Sequence, residues 1–264
     1  MRRLRAILAC GACAPTRLAA DAVPRCNGAM PEPAPARPAS TVLLLRDGAD
    51  GLEVFMVVRH HEIDFASGAL VFPGGRVEAS DAVLAGGDAT AAFHVAAVRE
   101  TWEECGILLA TPGTPPPAQG EFAAMLAARG LVPDVAGFAP FAHWITPEPV
   151  PKRYDTHFFL AAAPEGQDAL HDGHEAVDSI WIRPADALAA GAAGSRKLVF
   201  PTRMNLTKLA RHASVAEAFA VARATPVVTV LPQMTMTAAG RVLRIPAAAD
   251  YGGEEFLAGD PPSM

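Results

Sequence analysis

Cysteine, aromatic residues and excess positive charge are all scarce in this sequence, and each shortage excludes something. Of four cysteines, Cys10, Cys13, Cys26 and Cys105, three fall in the first 26 residues. That is no disulfide framework, and it suits a reducing compartment such as the cytoplasm. Basic residues number 22 against 28 acidic ones, for a net charge of −6. The chain therefore lacks the basic stripe that a nucleic-acid partner requires. No apolar run approaches the roughly 20 residues that span a bilayer, so no membrane partner is expected. P-loop, Gly-x-Ser-x-Gly and dinucleotide fingerprints are also missing. What is present is a chain of 264 residues, 51% of them hydrophobic, ample for a large core.

Residues 1–40 stand apart. They hold six of the 24 prolines and six arginines against two acids, a balance of +4 that leaves −10 on the rest. The start, Met1-Arg2-Arg3-Leu4-Arg5 and then Ala6–Ala9, has the basic and short apolar regions of a signal peptide, but the apolar run breaks at Cys10-Gly11. The expectation is a disordered extension over 1–39, or a start placed too early with Met30 as the true first residue.

Farther on, strands interleave with helices. Residues 41–46 and 53–59 read as strands joined by a turn rich in Asp and Gly. The continuous run Val54-Phe55-Met56-Val57-Val58 marks a strand covered on both faces. Residues 70–72 form a short strand stopped by Pro73-Gly74-Gly75, and 79–90 read as a surface loop. A helix over 91–105 places Val95, Val98, Trp102 and Cys105 on one face, and Gly106 closes it. Further strands are expected at 141–145, 157–161 and 179–182, with helices at 121–129, 184–190, 203–212 and 215–223. The class is α/β, with a mixed sheet and a helical C-terminal addition. The boundaries are 40–225 for the domain and 226–264 for a C-terminal tail.

The chemistry concentrates in two stretches. Phe72-Pro73-Gly74-Gly75-Arg76-Val77-Glu78 is followed by Arg99-Glu100-Thr101-Trp102-Glu103-Glu104-Cys105-Gly106-Ile107. On a helix, Glu100, Glu103 and Glu104 stand at i, i+3 and i+4, so three carboxylates share a face. Like charges held together need a positive counterpart, and hard oxygen ligands at this density suit Mg²⁺ or Mn²⁺. Arg99, about 100° around the helix from Glu100, can brace a neighbouring carboxylate. Gly74 and Gly75 let the backbone approach a metal or phosphate without a Cβ in the way. Arg-Glu-x-x-Glu-Glu alone is common on solvated helix faces; the flanking glycines and the opposite apolar face set this example apart.

These two stretches resemble the Nudix box, in which Gly, five residues, Glu and seven residues precede Arg-Glu, an apolar residue, any residue, Glu-Glu, any residue, Gly and an apolar residue. Gly75 takes the opening position, and Arg99, Glu100, Glu103, Glu104, Gly106 and Ile107 take the closing half. Asp81 stands where the first Glu is expected, Thr101 takes an apolar slot, and residues 82–98 make the middle spacing about ten residues longer. A loop absorbs such an insertion at little entropic cost. The resemblance implies a Nudix-type α/β/α sandwich and metal-dependent hydrolysis of a nucleoside diphosphate linked to another group. The metal ligands it implies are Glu100, Glu103, Glu104 and Gly75, with Arg99 in support.

The enlarged box after Phe-Pro-Gly-Gly is similar to the peroxisomal coenzyme A diphosphohydrolases and their bacterial relatives, over roughly 40–225. This implies coenzyme A or an acyl derivative as the small-molecule substrate. Arg59 and Gly68 match the segment that these enzymes carry ahead of the box, and Asp64 stands in place of a second Arg. Arg76 or Arg153 is then expected to supply the missing positive charge. Segments 143–147 and 153–159 also resemble pocket-lining strands of that subgroup. Glu175 matches the place of an additional carboxylate, so either Glu100 or Glu175 is the expected base. The alternatives are another substrate, such as ADP-ribose or a dinucleotide, or a catalytically silent Nudix-fold binding module.

Overall fold

The computed structural model describes residues 34–60, 68–112, 120–148, 150–173, 176–238 and 240–257. The expectations for 1–33, Asp64 and Glu175 lie outside these residues. Strands β1 (Arg37–Gly48) and β2 (Gly51–Arg59) form the expected hairpin, in the register Leu45 to Val54 and Gly48 to Gly51. Gly51 has φ +113°, a backbone conformation that favours glycine. Strand β1 begins at Arg37, three residues before the expected boundary.

Next come β3 (Leu70–Val71), β4 (Gly74–Arg76), α1 (Ala79–Leu84) and α2 (Ala89–Cys105). Helix α1 corrects the reading of 79–90 as a loop throughout. Its first turn is fixed by the Asp81 carboxylate, which accepts the Glu78 N–H at 2.8 Å. Helix α2 starts two residues earlier than expected because Asp88 caps it, accepting from Thr90 N and Ala91 N. Gly106, at φ +69°, ends it.

The chain continues through β5 (Ala110–Thr111), α3 (Phe122–Arg129), β6 (Val132–Pro133), β7 (Ala139–Ile145), β8 (Tyr154–Ala162) and β9 (Ala176–Ile182). Helices α4 (Pro184–Ala192), α5 (Phe200–Leu209) and α6 (Val215–Ala224) follow. The last strands are β10 (Thr229–Val230), β11 (Gln233–Thr237), β12 (Gly240–Arg244) and β13 (Glu255–Leu257).

Eight strands make one mixed sheet in the order β10-β7-β8-β1-β2-β3, with β4 also on β1 and β9 also on β2. The β1–β8 and β7–β10 pairs are parallel and the others antiparallel. Alternation along β1 sends Leu43 and Leu45 to one face and Val42 and Leu44 to the other. The first face packs on Ala187 of α4, Leu206 and Leu209 of α5 and Phe219 of α6. The second packs on Val95 and Val98 of α2 and on Met125 and Leu126 of α3. This is an α/β/α sandwich, and it accounts for the continuous apolar run in β2.

The stretch expected as a tail carries β10 to β13. Strand β10 joins the main sheet, while β11, β12 and β13 form a small sheet of their own. Buried Tyr251 ties this segment down: Trp144 Nε1 donates to its hydroxyl at 3.0 Å, and that hydroxyl donates to Asn205 Oδ1 at 2.9 Å. Among the described residues no helix is long and apolar enough to cross a membrane.

Candidate active site

The sharp turn between β3 and β4 and the C-terminal half of α2 meet at the mouth of a cavity of about 950 Å³. Gly74 has φ +153°, and a Cβ there would lie 2.3 Å from Ser40 O. A Cβ on Gly75 would lie 2.3 Å from Glu100 Oε1, so glycine is what lets this carboxylate lie against the turn. From beneath, Glu104 Oε2 accepts the Gly74 N–H at 2.9 Å.

Arg99 organises the cluster. Its Nε and Nη2 donate to the two oxygens of Asp81, both at 2.9 Å, in a forked pair that is almost wholly buried. Nη2 also donates to Arg76 O at 2.9 Å, while Nη1 reaches Glu100 at 2.9 Å and Glu103 at 2.8 Å. Burial by itself would lower the Arg99 pKa. The Asp81 hydrogen bond and the charges of Glu100, Asp81 and Glu103 outweigh it and hold the guanidinium charged. Thr101, in the apolar slot, buries its hydroxyl at no loss by donating to Ala97 O at 2.7 Å.

The donor set suits a hard divalent cation. Asp81, Glu100 and Glu103 share one guanidinium, Glu104 holds Gly74 N and Glu78 lines the same cavity, leaving a surplus of negative charge. Burial raises the Glu103 pKa, opposed by Arg99 and reinforced by Glu78 and Asp81. A divalent ion among these oxygens would relieve that repulsion. Gly75→Ala tests the close approach directly. The obstruction is the far end of a flexible side chain, so the melting temperature should stay near wild type. Displacement of the Glu100 carboxylate should lower any metal-dependent turnover by about a hundredfold. Steady-state kinetics and a thermal melt on the same sample check this.

Of the expected residues, Glu100, Glu103, Arg99, Gly74, Gly75, Arg76 and Arg59 all line the cavity. Glu104 lies just behind them. Arg153 does not line it: its guanidinium donates to Thr146 O and Ala34 O, fastening chain to chain at the sheet end. The sequence reading missed Glu78 and the opposite wall, where Lys197, Arg203, Met234, Arg241 and Leu243 come from the C-terminal half. Their composition gives no periodic signal, since a loop, helix α5 and the short strands β11 and β12 each contribute one or two residues to that wall. Alternation sends Trp144, Tyr154, Thr156 and Phe158 to the cavity side of β7 and β8. His143, Asp155 and His157 therefore do not line the pocket as those segments were expected to.

The family model described as the NUDIX domain matches residues 35–201, more than half of the sequence. The chain belongs to the Nudix family. It is 29% identical over 190 residues to the acyl-coenzyme A diphosphatase NUDT19 of Homo sapiens, covering 61% of this chain and 51% of that one. Against the Gallus gallus protein of the same name it is 26% identical over 209 residues, covering 63% and 55%. This chain thus spans about half the length of these curated relatives. Among solved structures, it is similar to a NUDIX hydrolase from Alicyclobacillus acidocaldarius, with a TM-score of 0.65 and 30% identity. That match covers 70% of this chain and 96% of the other.

Proposed function

We propose that this protein is a diphosphohydrolase that cleaves coenzyme A or an acyl-coenzyme A at its diphosphate. The observation that carries the reading is the carboxylate-bearing face of α2, set against Gly74-Gly75 at the mouth of a large two-sided cavity. Arg59, Arg76 and Arg203 supply positive charge for phosphates, and Val150, Leu198, Phe200 and Met234 supply apolar wall for a long thioester arm. The curated relatives named as acyl-coenzyme A diphosphatases support the same choice.

Glu100, Glu103 and Glu104, with the Gly75 carbonyl, would hold Mg²⁺ or Mn²⁺. The bound ion would neutralise charge on the diphosphate and acidify the attacking water. Glu100 lies against the turn and is placed to take the proton from that water; Glu175 is the other candidate. Arg99 fixes the carboxylates from behind, so their geometry is set before substrate arrives. Arg59 and Arg76 orient the phosphates for in-line attack. Water adds to one phosphorus, the bridging oxygen leaves with the other, and two phosphomonoesters result.

The test is a substrate panel with product identification, comparing coenzyme A, its 3′-dephosphorylated form and ADP-ribose in Mg²⁺ and in Mn²⁺. The expected products from coenzyme A are adenosine 3′,5′-bisphosphate and 4′-phosphopantetheine. A charge-assisted contact of about 1.5–3 kcal/mol makes Arg59→Ala lower kcat/KM for coenzyme A by roughly tenfold to a hundredfold. Faster cleavage of ADP-ribose than of coenzyme A would move the protein to another substrate class. No hydrolysis of any diphosphate would favour the binding module.

A further inference from the structure

On the β7–β8 surface turned away from the cavity, two histidines and a carboxylate converge. His143 and His157 are direct cross-strand partners, and Asp155 lies two residues before His157 on the same face. One ligand atom from each residue lies within 4.8 Å of the other two, and all three side chains are partly exposed. We infer that His143, Asp155 and His157 form a second metal site, for a borderline-soft divalent ion of the Zn²⁺ class, separate from the carboxylates of α2.

The chemistry of the donors favours this ion over Mg²⁺. Imidazole nitrogens with one carboxylate suit Zn²⁺ or Co²⁺, whereas Mg²⁺ takes an oxygen shell. The stacked imidazoles, with centroids 4.1 Å apart, have to turn inward. Ligands of a tetrahedral ion with bonds of about 2.0–2.1 Å sit about 3.3 Å apart, so His143 Nε2 and Asp155 Oδ1, now hydrogen-bonded, part slightly while His157 closes on them. Rotation of side chains on a fixed strand pair supplies that movement.

The surroundings already carry what such a site needs. His143 Nε2 is hydrogen-bonded to Asp155 Oδ1, and His143 Nδ1 pairs with Thr229 Oγ1 of β10 at 2.8 Å. A hydroxyl serves either tautomer, as donor to a bare Nδ1 or as acceptor from Nδ1–H. Thr229 therefore holds the ring through Nδ1 while Nε2 is the nitrogen turned toward Asp155. Phe93 packs on the His157 ring at 4.3 Å and shields one side. That phenylalanine precedes Glu100 by seven residues, about 10 Å along α2, which separates the two centres. An ion here would tie β7, β8 and, through Thr229, β10 together at the edge of the sheet.

The experiment uses the full chain, freed of metal by a chelator and carrying Cys10→Ser, Cys13→Ser and Cys26→Ser to remove competing thiolates. Zn²⁺ is titrated in excess Mg²⁺ and followed by equilibrium dialysis and thermal melting, with Co²⁺ as a spectroscopic stand-in. One equivalent of Zn²⁺ that raises the melting temperature is expected, with a visible Co²⁺ band of tetrahedral type. His157→Gln and, separately, His143→Gln should weaken Zn²⁺ binding by a hundredfold or more. Thr229→Val should weaken it by about tenfold. Glu103→Gln should leave it unchanged. Zn²⁺ affinity that survives both histidine substitutions, or falls only with Glu103→Gln, would overturn the assignment, as would failure of the parent chain to bind Zn²⁺ against Mg²⁺.

Discussion

Replacing Asp81 with alanine is expected to cost about 3–5 kcal/mol of stability, because it takes the buried forked partner from a buried guanidinium. For a domain of this size that is a fall in melting temperature of about 6–20 °C. The Asp81 side chain is fully buried and that of Arg99 is 7% exposed, so water cannot replace the lost carboxylate. The same substitution removes the acceptor of the Glu78 N–H, which loosens the start of α1. Arg99 keeps its bonds to Glu100, Glu103 and Arg76 O, but loses the fork that fixes its orientation. A companion variant, Asp81→Asn, keeps one acceptor oxygen for Arg99 and should lose less, since only the charge and one arm of the fork are removed. Urea melts of the three proteins decide the matter. A loss below about 1 kcal/mol in Asp81→Ala would show that the pair is no anchor for this turn.

How far such a site is legible in the sequence depends on which interaction sets each part. The spacing of Glu100, Glu103 and Glu104 is a local property of one helix, and the run in β2 is a local record of burial on two faces. Both were readable for that reason. Asp81 was placed only by counting six positions on from Gly75, with an insertion of about ten residues between it and Arg99. The fork to Arg99, eighteen positions away, gives that placement its physical sense. The reach of so short a side chain depends on α1, whose small and acidic composition reads as loop; its one signal was an acid three residues after Glu78.

Other parts were hidden for a different reason. Arg153 looked like a phosphate ligand because arginine near a site usually is one, but its fork is spent on Thr146 O and Ala34 O. Only the folded chain shows those carbonyls. The C-terminal strands β11, β12 and β13 are short and mostly exposed, so burial writes little periodicity into them. The resemblance grouped His143, Asp155 and His157 with pocket-lining segments, and the structure leaves them out of the lining. Their mutual approach depends on the register of β7 with β8, which shifts between Pro140 and Ala142 and cannot be counted from sequence.

Glu103→Gln should leave the fold intact and lower metal-dependent hydrolysis by about a hundredfold or more. Glutamine keeps the shape of glutamate and one carbonyl oxygen, so the packing of α2 is unchanged. The Glu103 side chain is 43% exposed, so the change buries no new unpaired group. It also removes one of several crowded negative charges, and stability should hold or rise slightly. What is lost is a full ligand charge beside the diphosphate, where charge builds up as the bridging oxygen leaves. The signature is therefore opposite to that of Asp81→Ala: a normal melt with a collapsed kcat, and a higher Mg²⁺ or Mn²⁺ concentration needed for half-maximal rate. Titrating the metal at saturating coenzyme A separates weaker ion binding from a slower chemical step, since only the former is recovered by more metal. Wild-type rates in Glu103→Gln at every metal concentration, with the half-maximal metal concentration unchanged, would place the metal centre away from this face of α2.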